Sequence, residues 1–338
     1  MQRLKVFISH TGEELAAYYS EKGLEVLRQH AELVFNESGK TLAGIELANA
    51  AAGCQVILAH RSTPGNADTF EAAPGLLAFV RSAVDVSTVD ILSASSHGIL
   101  VTRASAGFGV AVAEMALAMM FDLGRGVSRA RHAFERGEEP RLPKGLQLRG
   151  ASVGILGYGT IGGELAKMTQ ALGMRVRVFD PRSVGDLTPE VACSFEATVA
   201  QSDFLVCLAA SVPETHNLIN EKVLSSMREG SFFLNLSRGE LVDEDALEKA
   251  LDSGWLRGAG LDVGRAPDQR PSIRFINRPD VVVMPHVGGM TVAAREHQTM
   301  DTVRQITALA QRKWPEGALN AHEAFRVRSH IEADGTCR

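Results

Sequence analysis

The sequence is poor in cysteine: Cys54, Cys193, Cys207 and Cys337 are the only four in 338 residues. They are widely separated, without a CxxC pair or other metal-ligand spacing, which argues against both a disulfide framework and a zinc site. Also missing is any run approaching the roughly 20 apolar residues that a membrane-spanning helix needs. The opening "MQRLKVFISH" lacks the charged-then-apolar layout of a signal peptide, so a cytoplasmic setting away from the membrane is expected. No basic stripe stands out: 35 Lys and Arg against 40 Asp and Glu give a net charge of −5, which leaves a nucleic-acid partner without electrostatic support. Internal repeats and low-complexity tracts are absent as well. Small molecules are the ligands to expect.

What the chain does have is length and alternation. Its 338 residues exceed one comfortable core, so two domains are expected. The first hundred residues alternate short apolar runs ("LKVFISH", "ELVF", "QVILAH", "LLAFV", "GILVT") with helix-like pieces such as "GEELAAYYSEKGLEVLRQH". After "ERGEEPRLPKGLQLRG" a second series begins: "VGILG", "RVRVFD", "DFLVCLAA", "SFFLNLS", "GAGLDVG" and "VVVMPHVG". This is the α/β pattern of doubly wound, largely parallel sheets, two Rossmann-like domains in all. From Ala111 to Phe121, "AVAEMALAMMF" is apolar on nearly every side, which predicts a helix buried between domains or subunits. The closing "VRQITALAQRKW" and polar tail are too short for a third domain and are expected to pack back on the first.

"GILGYGTIGGELA" (Gly154 to Ala166) holds five glycines in ten residues, each costing roughly 0.5–1 kcal/mol inside a regular element. Gly157, Gly159 and Gly162 fit G-x-G-x-x-G. The run follows one strand, opens a helix at Thr160 and Ile161, and precedes a strand ending in Asp180, 18 residues after Gly162. Such glycines permit a tight turn and close backbone approach, while the helix N-terminus offers free N–H groups to a pyrophosphate. Asp180 would bond the adenosine ribose hydroxyls and repel a 2′-phosphate, favouring NAD over NADP, with Arg182 as a nearby cation able to accommodate part of that phosphate.

Three later segments, "LNLSRGELVDEDAL", "GAGLDVG" and "MPHVGG", follow the glycine loop in an order that resembles the D-isomer-specific 2-hydroxyacid dehydrogenases. "AVAEMALAM", "ETHNLIN" and "VRSAVDVSTVDILSASSHGILV" are similar to that family too. The resemblance implies a substrate domain assembled from both chain ends (1–116 and 305–338), an NAD-binding domain (117–304), an active cleft between them and a homodimer. It places the substrate-orienting arginine at Arg238 and the acid–base histidine at His286. Thr215 and Asp262 fall among the cofactor contacts, Asp262 near the nicotinamide end. Chemistry agrees: a keto-acid reduction needs a hydride, a proton and a cation for the carboxylate, and an arginine fork suits the cation role as an imidazole near neutral pKa suits the proton.

Two departures from the family pattern bear on the chemistry. The family glutamate that partners the histidine falls on Pro267 in a gapless alignment, and a one-residue shift brings Asp268 there instead; we take the shift. The substrate loop, usually G-V-G, reads Ala83, Val84, Asp85, so Val84 and Asp85 are the expected substrate contacts, and Asp85 would repel an anion unless it turned away or paired with Arg81 or Arg103. Arg103 and Phe108 stand where asparagines are common, and Arg61 in "AHRSTPG" stands where some relatives contact a distal anionic group. The expected function is an NAD-dependent dehydrogenase of a D-2-hydroxy acid. The alternatives are an NADH-sensing, corepressor-like binding protein on the same fold and a formate- or phosphite-type dehydrogenase.

Overall fold

The computed structural model describes residues 3–182, 187, 188, 191–266 and 268–332. Cys337 and Pro267 lie outside them. The chain divides into two compact units, one made of Met1–Gly107 with Val292–Arg338 and the other of Phe108–Thr291. The expected junctions at 116/117 and 304/305 fall inside the helices Gly109–Arg125 and Val292–Ala310. The observed ones leave both helices whole, because a helix packs along its full length against one core.

In the first unit the apolar runs become five strands: β1 (Leu4–Ile8), β2 (Ala31–Phe35), β3 (Val56–Ala59), β4 (Ala78–Arg81) and β5 (Leu100–Arg103). They form a parallel sheet in the order β2-β1-β3-β4-β5. Helices cover both faces, which is why β3 and β4 are apolar throughout rather than alternating. One face buries Val6, Ile8, Leu24, Leu27 and Val80 with Val303, Ile306 and Leu309 of the Val292–Ala310 helix, so the chain's end completes the core begun by its start. Each such fully buried side chain contributes roughly 1.5–3 kcal/mol.

The stretch read as one helix-like piece from Gly12 to His30 is two helices, Gly12–Tyr18 and Glu21–His30. Ser20 accepts from the N–H of Gly23 and starts the second, while Tyr19 leaves the helix to reach Thr302, Oη to Oγ1, at 2.8 Å. A long-range bond thus overrides local helix propensity.

The second unit holds β6 (Ser152–Leu156), β7 (Arg175–Phe179), β8 (Phe204–Cys207), β9 (Ser231–Asn235), β10 (Leu256–Leu261) and β11 (Val281–Val283). All pair in parallel, in the order β11-β10-β9-β8-β6-β7. The oily run from Ala111 to Phe121 lies in the Gly109–Arg125 helix, whose Val112, Ala113, Ala116, Met119 and Met120 enter this unit's own core. The strand order reverses between β6 and β8, and ligands of open α/β sheets bind outside the carboxyl ends of strands at such a point.

Candidate active site

The glycine loop leaves the carboxyl end of β6 at that switch point. Gly157 has φ +103, and a Cβ there would stand 2.6 Å from the carbonyl oxygen of Leu208, just past β8. A Cβ on Gly162 would stand 2.1 Å from the Gly157 oxygen. Two of the three glycines are therefore required by the protein's own backbone. A Cβ at Gly159 would meet nothing within 4 Å, so that position opens outward. Gly159 precedes the Thr160–Ala171 helix, and no side chain among the described residues caps it. The first-turn N–H groups, including those of Thr160 and Ile161, are the free donors of an uncapped helix end. These residues fit a dinucleotide pyrophosphate.

Asp180 follows β7 and is more heavily engaged than the sequence suggests. Its Oδ2 accepts from the Tyr158 N–H at 2.8 Å, while Arg182 grips it through Nε and Nη2, each at 3.1 Å, and through its own N–H at 2.9 Å. The Arg182 fork, with the Tyr158 N–H adding to it, holds the Asp180 carboxyl down at about 2. Thr215 turns inward on its own loop, donating to Ala210 O at 2.7 Å and accepting from the Val212 N–H at 3.0 Å.

Arg238, Asp262 and His286 follow β9, β10 and β11, three neighbouring strands whose ends pair Asn235 with Leu261 and Leu261 with Val283. The sheet thus brings all three to one edge. Asp262 is buried, and its carboxylate accepts from the N–H groups of Val287 at 2.9 Å and Gly288 at 3.0 Å, while its carbonyl accepts from the N–H of His286 at 2.8 Å. That grip fixes the turn at His286, whose φ is +58; a left-handed histidine is uncommon, and such geometry gathers at functional positions. Arg238 donates from Nη1 to the Ser237 carbonyl at 2.8 Å, and its own carbonyl accepts from Asn235 Nδ2 at 2.9 Å.

Sequence reasoning passed over Arg265. It joins the loop after β10 to the loop after β9, donating from Nε to Val242 O at 2.9 Å and from Nη2 to Glu240 O at 3.0 Å and to Asn217 Oδ1. A Cβ on Gly239 would stand 2.1 Å from Gly264 O, so the two loops lie back to back. The carboxylate of Asp268 is on Arg270, accepting from its N–H and facing its Nε, both at 3.1 Å.

In the first unit the expected substrate contacts also gather at carboxyl ends. Arg61 follows β3, Val84 and Asp85 follow β4, and Arg103 ends β5; Arg61, Asp85 and Arg103 are exposed and Val84 is half-buried. The Asp85 carboxylate turns onto the N–H and hydroxyl of Ser87 at 2.9 and 3.1 Å. Sequence reasoning also passed over a buried group beside these loops. His10 and His60 stand with ring centroids 4.8 Å apart, and Glu14 lies 3.0 Å from His60 Nδ1. No sequence pattern marks them, since β1 and β3 bring together residues fifty positions apart.

Among the described residues no group of three or more His, Cys, Asp or Glu could hold a metal, and no helix is long and apolar enough to cross a membrane.

Comparison with known proteins gives a consistent result. The family model for the D-isomer specific 2-hydroxyacid dehydrogenase NAD-binding domain matches residues 117–288. A chloroplastic D-3-phosphoglycerate dehydrogenase of Arabidopsis thaliana is 29% identical over 89% of this chain, but the chain spans about half (49%) of that protein's length. A glyoxylate reductase of Thermococcus kodakarensis is 29% identical over 96% of this chain and 98% of its own. The solved structure of D-2-hydroxyisocaproate dehydrogenase superposes with a TM-score of 0.81, covering 94% of this chain and all of that one, at 20% identity, which is a likeness of fold.

Proposed function

Because the chain belongs to the D-isomer-specific 2-hydroxyacid dehydrogenases, we propose that it interconverts a D-2-hydroxy acid and its 2-keto acid with NAD, through Arg238 and His286. The observation that carries this reading is the convergence of Arg238 and a His286 turn braced by Asp262 on the ends of three neighbouring strands, in the unit whose first strand runs into the glycine loop. When bound, the nicotinamide supplies or accepts the hydride. Gly157, Gly159, Thr160, Ile161 and Gly162 would cradle its pyrophosphate and Asp180 the ribose, with Arg182, Thr215 and Asp262 as the further cofactor contacts.

In the reductive direction Arg238 orients the keto acid by its carboxylate and polarises the carbonyl, since a guanidinium cannot act as the proton source. His286 donates the proton from its ring to the nascent alkoxide. Asp268 is assigned as its partner, a role that requires it to leave Arg270. Val84, Asp85, Arg61 and Arg103 are assigned to the substrate.

A homodimer in the cytoplasm belongs to the same reading. Val127 and Phe134 stand 62% and 64% exposed and Phe121 45%, apolar side chains that a second copy would cover. Cys54 and Cys207 are buried thiols outside any disulfide.

Loss of NADH absorbance with a panel of 2-keto acids, including glyoxylate and hydroxypyruvate, tests the activity. His286→Ala should remove turnover and leave NADH affinity intact; an undiminished rate in that variant would take His286 out of the mechanism. Tight NADH binding without oxidation across the panel would favour a sensor, and NAD reduction by formate or phosphite would favour that other chemistry.

A further inference from the structure

Arg238 is the residue from which the short helical turn Gly239–Leu241 starts, so the path of that turn sets where its guanidinium can reach. So short a turn cannot bond its own last carbonyls. Arg265 takes them from outside: Nη2 donates to Glu240 O at 3.0 Å and Nε to Val242 O at 2.9 Å. A cation is also the favoured charge at the carbonyl end of a helical turn. Nη2 further reaches Asn217 Oδ1, and the Asn217 N–H donates to the same Glu240 carbonyl at 2.9 Å. Asn217 has φ +52 and stands two residues past Thr215. One planar fork therefore fastens the turn begun by Arg238 to the loop that carries Thr215.

The root of that fork is held as firmly as its tips. The Arg265 N–H donates to Glu244 Oε1 at 3.2 Å, and Glu244, itself buried, also accepts from Ser272 Oγ at 2.6 Å and Arg274 Nη2 at 3.2 Å. A Cβ on Gly239 would stand 2.7 Å from the Arg265 nitrogen, so the turn rests on the backbone of the residue whose side chain wraps its far end. We propose that Arg265 is a positioning residue for the reaction, acting through Arg238: it fixes the turn that carries the substrate-orienting guanidinium against the cofactor loop at Thr215. The role of Arg238 rests on the dehydrogenase reading, whereas the clamp itself rests on these bonds. An orienting group displaced by about 1 Å costs up to about 100-fold in rate, which is the reason for a turn of three residues to be gripped from two sides. Only a planar fork spans both loops at once, since a lysine ammonium is a single point of donation.

The test is steady-state kinetics of the full chain with glyoxylate and NADH, beside calorimetric titration of oxalate, a small planar dianion, into the NADH-loaded chain. Arg265→Met should lower kcat/KM at least about 10-fold, raising KM and lowering kcat together because Arg238 serves both carboxylate and carbonyl, and should weaken oxalate in step. The NADH dissociation constant should change less than about 3-fold, since the main-chain bonds from Asn217 and Ile219 to Glu240 and Leu241 still hold the Thr215 loop. Arg265→Lys should recover part of the loss. Arg274→Met strips three ion pairs from the neighbouring helix start without touching the Arg238 turn, and should keep the wild-type KM and kcat. Should Arg265→Met fail to fold, Asn217→Gly decides: it keeps the positive φ, removes one acceptor and should cost about 3-fold in kcat/KM. The proposal is overturned by a smaller loss in a folded Arg265→Met, by wild-type kinetics in Asn217→Gly, by an equal loss in Arg274→Met, or by NADH binding that falls as far as kcat/KM. A wild type that binds oxalate yet oxidises no NADH with any keto acid removes the dehydrogenase reading, and the oxalate affinities of the same variants then decide the clamp by the same limits. A wild type that does neither removes both.

Discussion

Lowering the pH from 7 to 5 should destabilise the first unit through one residue, His10. It is 2% exposed; Nε2 lies 3.3 Å from Ser82 Oγ, and Nδ1 has no hydrogen-bond partner among the described residues. The Tyr19 ring meets it edge-on at 5.1 Å and His60 at 4.8 Å, with Glu14, Arg61 and Arg81 around His60. Burial first, and the charge of His60 second, lower the His10 pKa from 6.5 to about 3. The folded value lies below the unfolded one, so between the two the unfolded chain binds the proton that the folded chain refuses. Stability is full above pH 6.5 and falls as the pH drops toward 3. At about 1.4 kcal/mol per pH unit, pH 5 lies about 1.5 units below the unfolded value, so this group alone removes about 2 kcal/mol. A folded pKa of 4 instead of 3 changes that figure little, because at pH 5 the folded imidazole is neutral either way.

The assay is urea unfolding at pH 7 and pH 5, followed by tryptophan fluorescence. Trp255 and Trp314 lie in different units, so a Trp255→Phe background leaves Trp314 to report on the first. His10→Gln keeps a donor for Ser82 and cannot titrate. Between the two pH values the parent should lose about 2 kcal/mol more than His10→Gln. Equal losses would show that His10 is not held neutral by burial, and the reasoning would fail.

Other outcomes follow from the cofactor loop and the acid–base pair. Gly162→Ala puts a methyl 2.1 Å from the Gly157 oxygen and should abolish NADH binding measured by fluorescence titration, while secondary structure by circular dichroism survives. Because Asp180 stays ionised down to about pH 2, NADH affinity should show no Asp180-dependent loss between pH 8 and about 4, and Asp180→Ala should weaken NADH about 10-fold or more while narrowing its advantage over NADPH. If Asp268 partners His286, Asp268→Asn should shift the histidine limb of the pH–rate profile downward by about 1 unit, since the imidazolium loses a carboxylate; an unshifted limb leaves Asp268 with Arg270.

Much of this was legible because parallel strands covered on both faces read as apolar runs: each of the eleven strands among the described residues overlaps a run visible in the sequence. The glycine loop was legible for the same local reason, a strand, a turn and a helix in twenty residues. The break at Tyr19 was not, since its cause is Thr302, 283 positions away. Nor was the occupation of Asp268 by Arg270, which depends on a loop fold that spacing does not specify.

By itself the sequence determined two wound sheets, the dinucleotide loop and the family to which Arg238 and His286 point, since these depend on short-range periodicity and ordered motifs. Only the tertiary structure decided that Arg265 closes the turn begun by Arg238 and that His10 stands against His60. Both depend on which strand ends become neighbours, and burial, which sets the cost of a charge, exists only once they do.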